Sequence, residues 1–227
     1  MITVQIATLP ERENLLEKAV NSLINQVDQI NVMLNGHEDA PHFLKQLEFH
    51  TDKIAYFAMD NSTGDAAKFF RVEKLKGYVF TCDDDLIYPG NYVEKMVSKL
   101  KEHSNKVILS CHGRKMNTKP VTSIYSDRIA TYPCTMFVIG DYYVEIGGTG
   151  VMAWHTNYFK PEYSAFKRKN MADVWVAKQA SEQGCKILVM GHPDKWIIPT
   201  DLDPNLSTIW KDKYGNDEKE TEIYNSF

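Results

Sequence analysis

The chain has 227 residues, about one and a half times the roughly 150 residues of a typical domain, so it is long enough for one large domain or two small ones. Its composition, 43% apolar or aromatic and 25% charged, is that of a globular protein and excludes a disordered chain. Lysine and arginine number 26 against 30 acidic residues, so the net charge is −4 and no overall field attracts the chain to nucleic acid.

The first half of the chain alternates between two hydrophobic periodicities. Short apolar runs predict five strands, at residues 2–7, 29–34, 53–58, 78–82 and 106–110. Apolar residues at helical spacing predict helices between them, at residues 15–24, 41–49, 63–74 and 89–102. Strands alternating with helices predict right-handed crossovers and a mostly parallel sheet with helices on both faces.

The second half is less regular. Residues 113–132 are polar and show no clear period. The segments that do show a pattern are a strand at 134–139, a flexible glycine turn at 147–150, a helix at 171–183 and a strand at 185–190. From residue 211 onward the chain is polar and charged, which predicts a mobile tail or a surface helix.

Polar clusters follow four of the predicted strands. They lie at residues 8–12, 35–36, 60–61 and 83–85. In open parallel sheets, ligands bind outside the carboxyl ends of the strands. The four clusters therefore predict a single site at one edge of the sheet.

The sharpest signal is the acidic triplet, Asp83, Asp84 and Asp85, directly after an apolar strand. Three adjacent carboxylates repel one another, and a divalent cation with a bound diphosphate would offset that repulsion. Mg²⁺ and Mn²⁺ commonly take one or two carboxylates together with phosphate oxygens. The alternative is a solvated acidic turn that caps the next helix, but the position directly after a buried strand favours a site.

The run from Gly77 to Gly90 resembles the DXD region of GT-A glycosyltransferases, especially glycosyltransferase family 2. Residues 2–12 are similar to the family's opening strand and its Thr-x-x-x-Arg turn. Residues 60–68 look like its Asn/Gly-rich turn and the helix that follows, with Lys68 where an Arg is common. Residues 171–175 are similar to its late Glu-Asp motif. The resemblance covers about residues 2–192, and the order of the motifs is more specific than any one of them.

The resemblance implies a GT-A fold, which is a three-layer α/β/α sandwich around a mostly parallel sheet. Asn35 stands where the family often has an acidic residue that reads the base, so this chain departs from the pattern there. The glycine turn and the residues after it have the composition of a site loop, which adds Gly150 and Trp154 to the expected contacts. The residues expected to bind the nucleotide-sugar are therefore Thr8, Pro10, Arg12, Asn35, Asp60, Asn61, Lys68, Asp83, Asp84, Gly150 and Trp154. The residues expected to bind the metal are Asp83, Asp84, Asp85 and His192.

Several of these assignments have a structural alternative. Trp154 could stack on a sugar face, or it could be a core residue after a tight turn. His192 and His155 are each candidates for a metal or diphosphate contact, although a lone His is more often a packed or surface residue. Three further basic residues, Arg71, Arg114 and Lys115, could meet phosphates, and the segment 112–114 could face the acceptor.

Asp173 is the predicted catalytic base. An inverting sugar transfer needs a carboxylate that takes the proton of the acceptor hydroxyl while its oxygen attacks the anomeric carbon. An Asp ahead of a helix is otherwise a helix cap or first-turn acid. The order of Asp173 after the acidic triplet favours the catalytic reading.

The function implied by the resemblance is inverting transfer from a nucleotide-sugar, expected to be a UDP-sugar, with Mn²⁺ or Mg²⁺ as cofactor. The acceptor is expected to be a glycan or glycolipid of a surface polysaccharide, made at the cytoplasmic face of a membrane with at most peripheral association. We expect one domain, with a nucleotide half (1–110), an acceptor half (111–200) and a polar tail (201–227). The oligomeric state is left open.

The apolar runs are far shorter than the ~18 residues that span a bilayer, and no secretory signal is visible at the start. The four cysteines are widely spaced, which predicts buried thiols of a reducing compartment instead of disulfides or a zinc site.

Three other functions compete with this prediction. A phosphohydrolase of the haloacid dehalogenase type also has Asp-x-Asp after a strand, but it needs Thr or Val where this chain has Ile87. A nucleotidyltransferase needs a glycine-rich loop after the first strand, whereas residues 9–12 contain no glycine. A non-catalytic nucleotide-sugar or glycan-binding module of the same fold remains the third alternative.

Overall fold

The computed structural model describes residues 1–200 and 215–227. Its strands are β1 (Ile2–Thr8), β2 (Gln29–Asn35), β3 (Ile54–Met59), β4 (Tyr78–Cys82), β5 (Leu86–Ile87), β6 (Ile108–Ser110), β7 (Gly113–Met116), β8 (Arg128–Tyr132), β9 (Tyr142–Val144), β10 (Ile146–Gly147), β11 (Val151–His155), β12 (Ile187–Val189) and β13 (Ile198–Pro199). Its α-helices are α1 (Glu13–Leu23), α2 (His42–His50), α3 (Tyr92–Glu102), α4 (Ala172–Glu182) and α5 (Glu218–Asn225). Short 3-10 helices cover Pro10–Arg12, Ile24–Gln26, Gly64–Phe69, Val72–Lys74 and Tyr163–Ala165.

The main sheet has eight strands within the described ranges, in the order β3-β2-β1-β4-β11-β6-β12-β9. Its members run parallel except for β11 and β9, which are antiparallel to their neighbours. The predicted alternation of strands and helices is thus confirmed for the first half. The parallel strands β1, β2 and β4 end side by side, as a common binding edge requires.

Apolar side chains cover both faces of this sheet. On one face α1, α2 and α3 pack through residues such as Leu16, Leu44 and Met96. On the other face α4 and α5 contribute to a second core cluster, which also contains Phe69 and Trp154. The result is three layers, because each amphipathic helix buries its apolar stripe against the sheet.

The segment predicted as one helix over 63–74 is instead two 3-10 helices, which corrects that prediction. Arg71 has a left-handed backbone, with φ of 58°, and this conformation ends the helical run. Its guanidinium lies 5.2 Å from the ring centroids of both Phe57 and Phe70. Lys68 and Phe69 are neighbours at the end of the first 3-10 helix, and Lys68 lines a cleft whereas Phe69 lies in the core.

The second half differs from the sequence analysis in three places. Residues 151–155, where no strand was predicted, form β11 in the middle of the sheet between β4 and β6. The segment 134–139, expected as a strand, contributes a single bridge between Val138 and His192. The polar stretch 113–132 contains an antiparallel pair, β7 and β8.

Part of the expected polar tail is a helix with one buried face. Ile223 and Tyr224 of α5 are 6% and 1% exposed and belong to the core beneath α4. Residues 201–214 of that tail lie outside the described residues. No helix in the described part of the chain has the length and apolarity that crossing a membrane would need. All four cysteines are free. Cys82 and Cys111 are buried, as predicted, whereas Cys134 and Cys185 are only partly buried.

Candidate functional site

A cleft of about 530 Å³ opens at the carboxyl ends of β1, β2 and β4. Its walls come from both halves of the chain. The polar and glycine residues that line it are Thr8, Glu11, Arg12, Asn35, Asn61, Gly64, Asp65, Lys68, Asp83, Asp84, Asp85, His112, Arg114, Tyr125, Gly148, Thr149, Gly150, Lys169, Asn170 and Asp173. The acidic triplet and the predicted base therefore share one cavity.

Arg12 holds two carboxylates of the acidic triplet. Its Nη1 lies 2.8 Å from Asp84 Oδ1 and 3.3 Å from Asp85 Oδ2. The 3-10 helix after β1 carries this guanidinium across the ends of the strands, since β1 and β4 are paired neighbours. The ion pairs offset the mutual repulsion of the acids and keep them in place on the cleft floor.

Lys68 binds the remaining carboxylate. Its Nζ forms an ion pair with Asp83, although the Lys68 side chain is only 4% exposed. Gly150 makes room for this pair, because a Cβ at that position would lie 1.8 Å from Asp83 Oδ2. The Asp83 amide also donates to the Gly150 carbonyl at 3.0 Å. Gly150 thus ties the acidic triplet to the loop that follows β10.

Burial dominates the electrostatics of this floor. It raises the pKa of Asp84 above its ordinary value, although the Arg12 charge acts against the shift. Burial together with the charges of Asp83 and Asp84 raises the pKa of Asp85 to about 6. Burial alone would lower the pKa of Lys68, but the nearby Asp83 and Asp65 carboxylates outweigh it and the pKa is raised.

Asp65 is a site residue that the sequence reasoning did not assign. Its Oδ2 accepts a hydrogen bond of 3.2 Å from the backbone N of Ala172, the first residue of α4. Its Oδ1 is buried without a hydrogen bond among the described residues. Burial, opposed by Lys68, raises the pKa of Asp65 to about 7. The signal was an acid inside the turn motif between a Gly and two Ala residues, where a purely structural turn needs none.

Asp173 lies in the first turn of α4, where the positive end of the helix dipole favours an acidic side chain. The backbone N and the Oγ1 of Thr149 each donate to its Oδ1 at 2.8 Å. Its Oδ2 has no hydrogen bond within the described part of the chain. Thr149 was another unassigned residue, and a lone hydroxyl between glycines of a site loop was the signal for it.

The wall of the cleft next to Asp173 is formed by residues that follow β6, among them His112 and Arg114. The His112 ring lies against Gly148, where a Cβ would approach it to 2.9 Å. Burial, followed by the nearby charge of Arg114, lowers the pKa of His112 to about 4. A neutral imidazole and a buried guanidinium thus line this side of the cleft.

The other predicted nucleotide contacts divide into two groups. Thr8, Asn35 and Asn61 line the cleft, and Asn35 Nδ2 donates to the Gly64 carbonyl at 3.0 Å. Pro10 and Asp60 are exposed and lie outside it. Asp60 instead accepts a hydrogen bond from the Ser62 backbone N, so it stabilises the turn after β3. This corrects its assignment as a direct contact of the nucleotide-sugar.

Trp154 is a core residue, which corrects its assignment as a sugar contact. It is 0% exposed and does not line the cleft. Its indole stacks on Phe69 with centroids 6.0 Å apart and meets Phe159 edge-on at 5.7 Å. Because β11 lies in the centre of the sheet, alternate residues of this strand point into a core and not toward the site.

His192 and His155 are also corrected as metal candidates. His192 is 4% exposed, its Nε2 lies 3.0 Å from the Cys111 carbonyl oxygen, and its ring stacks on Trp196. His155 packs edge-on against Tyr78 at the far end of β11. Neither imidazole lines the cleft, so the described residues offer the acidic triplet alone as predicted metal ligands.

The chemistry of the triplet suits a divalent cation of the magnesium or manganese type. These ions take oxygen ligands and need only one or two carboxylates when phosphate oxygens complete the shell. Among the described residues, Glu102, His103 and Asp141 form a group whose possible metal-ligand atoms lie within 4.8 Å of one another. This group lies outside the cleft. Lys99 already binds both carboxylates of that cluster, at 2.8 and 3.0 Å, so it is a surface ion-pair network.

The chain is similar to known proteins in sequence family and in fold. A family model described as Glycosyl transferase family 2 matches residues 3–179. A search of curated proteins gives no significant match. Among solved structures, S. aureus TarS 1–349 in complex with UDP-GlcNAc matches with a TM-score of 0.57 and 15% identity, over 98% of this chain and 70% of that one. The complex of TarS 1–349 with UDP matches with a TM-score of 0.56 and 12% identity, over 85% of this chain and 58% of that one.

At these identities the structural likeness concerns the fold. It confirms the predicted class, a three-layer α/β/α sandwich with a mostly parallel sheet. In the two matches the aligned region spans 58% and 70% of the TarS chain, so part of that protein has no counterpart here.

Proposed function

Because the chain belongs to glycosyl transferase family 2, we propose that it transfers a sugar from a nucleotide-diphosphate donor to a hydroxyl of a glycan. The observation that carries this proposal is the shared cleft, with the acidic triplet on one side and Asp173 on the other. A donor diphosphate at the triplet would direct its sugar toward the glycine loop, and Asp173 lies beyond that loop.

The proposed chemistry is a single displacement with inversion. The acceptor oxygen attacks the anomeric carbon, and Asp173 Oδ2 takes the proton of that hydroxyl. The bond from the anomeric carbon to the diphosphate breaks on the opposite face, and the electron pair leaves with the nucleoside diphosphate. Thr149 supports this role because its two hydrogen bonds occupy Oδ1 and orient the carboxylate.

We propose a UDP-sugar as donor. TarS 1–349 was solved with UDP and with UDP-GlcNAc, and this chain shares its fold. In this chain Asn35 lines the cleft at the end of β2, and its buried Oδ1 has no partner among the described residues. That oxygen is an acceptor suited to a base N–H, such as the N3–H of uracil, and it supports a uridine nucleotide.

Mn²⁺ or Mg²⁺ is the proposed cofactor, held by one or two carboxylates of the acidic triplet. When bound, such an ion stabilises negative charge on the departing diphosphate. Asp83 is the most accessible of the three acids, with a side chain 42% exposed. Arg12 and Lys68 hold the triplet in position and neutralise part of its charge.

The acceptor is proposed to be a glycan or glycolipid of surface polysaccharide synthesis at the cytoplasmic face of a membrane. The support is the family together with a cleft that is lined in part by residues of the second half of the chain, such as His112, Arg114 and Tyr125. A non-catalytic nucleotide-sugar binding module is the second candidate, because binding needs the triplet but does not need Asp173.

Asp173→Asn tests the proposal, with Glu182→Gln at the exposed end of α4 as the matched control. We expect sugar transfer to fall about 10²–10⁴-fold in the first variant, the range of general-base catalysis, and to be unchanged in the second. UDP binding with Mn²⁺, followed by thermal shift, should be retained in both. Full transfer by Asp173→Asn would reject the base, and UDP binding without any transfer by the wild type would favour the binding module.

A further inference from the structure

Arg114 is a buried cation in the wall of the cleft. It lies on β7 and is 8% exposed, and its guanidinium carbon sits 4.7 Å from the centroid of the Tyr125 ring. Both residues line the cavity. The Tyr125 ring supports the guanidinium and leaves its N–H groups, which lie in the plane of the guanidinium, to meet a ligand.

Arg114 differs from the other cleft cations in its partners. Arg12 and Lys68 both form ion pairs with the acidic triplet. Within the ranges that the structure describes, Arg114 has no ion pair and its side chain has no hydrogen bond, while its aromatic contact supplies no negative charge. A buried charge is costly unless it is paired. The pairing group that this position lacks is therefore expected from a ligand.

The position of Arg114 says which ligand that is. It belongs to the acceptor half, two residues after His112, whose ring lies against the glycine loop that also carries Thr149. Thr149 holds the proposed base, Asp173. A donor diphosphate would lie at the triplet, where Arg12 and Lys68 are already present. An anion near Arg114 would instead approach from the side on which the acceptor hydroxyl must reach Asp173.

We propose that the acceptor carries a negatively charged group, a phosphate or a carboxylate, and that Arg114 binds it while the acceptor hydroxyl faces Asp173. This proposal deepens the proposed function and depends on it for the word acceptor. Arg114 also compensates the repulsion that an anionic acceptor would meet from the Asp173 carboxylate. A bidentate contact with two parallel N–H groups fits both phosphate and carboxylate geometry.

The test measures binding of small probes by calorimetry, with and without UDP and Mn²⁺. The anionic probes are glycerol 3-phosphate and glucuronate, and their neutral counterparts are glycerol and glucose. We expect at least one anionic probe to bind ten times or more tighter than its counterpart, and the tighter of the two identifies phosphate or carboxylate. Equal affinity for charged and neutral probes would overturn the proposal.

Arg114→Gln should remove this preference, while Arg114→Lys, which keeps the charge, should keep part of it. Lys115→Gln is the matched control, because Lys115 is the next residue of β7, pairs with Glu145 at 2.7 Å and does not line the cleft. UDP affinity should be unchanged in all three variants. Loss of UDP affinity in Arg114→Gln would reassign Arg114 to the donor. Absence of UDP binding in the wild type would instead reject the proposed function, and the probe preference without nucleotide would then decide only whether Arg114 binds an anion.

Discussion

Thr149 donates two hydrogen bonds to the same carboxylate oxygen of Asp173, one from its backbone N and one from its Oγ1, both of 2.8 Å. The two bonds restrict rotation of the Asp173 side chain from one side only. The second oxygen, Oδ2, is left to receive a proton on the cleft side. A residue between glycines thus positions the proposed base.

Thr149→Val removes one of these bonds and keeps the backbone bond and the side-chain shape. We expect kcat to fall about tenfold, because a hydrogen bond to a charged group contributes about 1.5 kcal/mol and 1.4 kcal/mol is a factor of ten in rate. The KM for the donor should change little. Thr149→Ser keeps the hydroxyl and serves as control. Equal kcat for Thr149→Val and Thr149→Ser would show that the hydroxyl has no part in positioning Asp173.

Trp154 should behave as a core residue. Trp154→Ala is expected to lower the free energy of unfolding by about 3–5 kcal/mol, the usual cost of deleting a large buried ring, measured by urea denaturation. Trp154→Phe should cost less and remain folded. In that milder variant, affinity for a UDP-sugar should equal that of the wild type. A tenfold weaker donor affinity at near-native stability would restore Trp154 as a sugar contact.

Apart from the segment 63–74, the strands and helices of the first half were predictable because each has one dominant period and a polar residue at its end. β1, β2 and β4 are apolar runs buried on both faces, and polar residues that follow them enter the cleft. The acidic triplet could be assigned for the same reason. Each of these predictions depends only on residues adjacent in the sequence. The parallel arrangement of β1, β2 and β4 then brings the polar residues together at one edge of the sheet.

The second half was harder because tertiary contacts decide its structure. The sequence of β11 follows a glycine turn and does not by itself predict a strand. Its pairing with β4 and β6 makes it a central strand of the sheet. Its Trp154 therefore points into a core that the sequence could not place. Similarly, Asp65 and Asp173 are more than a hundred residues apart in the chain, so no local pattern shows that both meet at the start of α4.

Lys68 should be important for stability as well as for binding. Lys68→Met leaves Asp83 and Asp65 without their nearest cation, and we expect a loss of about 3 kcal/mol in the free energy of unfolding. This is the lower end of the 3–5 kcal/mol found for breaking buried pairs, because the Asp83 side chain is 42% exposed to water. Lys74→Met, an exposed change of the same type, should cost under about 0.5 kcal/mol. Similar denaturation midpoints for both variants would contradict the structural role.

Asp65 predicts a pH dependence of stability. Its pKa is raised in the folded protein from 3.8 to about 7, so between these values the folded protein binds more protons at this site than the unfolded chain. The free energy of unfolding should therefore fall as the pH rises through this window. Asp65→Asn keeps an oxygen for the Ala172 amide and removes the titration, so its stability should vary less between pH 4 and pH 7. Parallel curves for wild type and variant would show that Asp65 ionises freely in the folded state.

Metal binding should also depend on pH, through Asp85. Burial and the neighbouring acids raise the pKa of Asp85 to about 6, and a protonated carboxyl is a poor ligand for Mn²⁺. We expect the affinity for Mn²⁺, measured by the electron paramagnetic resonance signal of the free ion, to fall as the pH drops through about 6. Asp85→Asn should weaken binding at pH 7 and flatten this dependence. Glu102→Gln is the control, because it alters the surface cluster with His103 and Asp141 and should leave the affinity unchanged. Affinity that stays constant from pH 5 to pH 8, or that disappears in Glu102→Gln, would place the ion outside the acidic triplet.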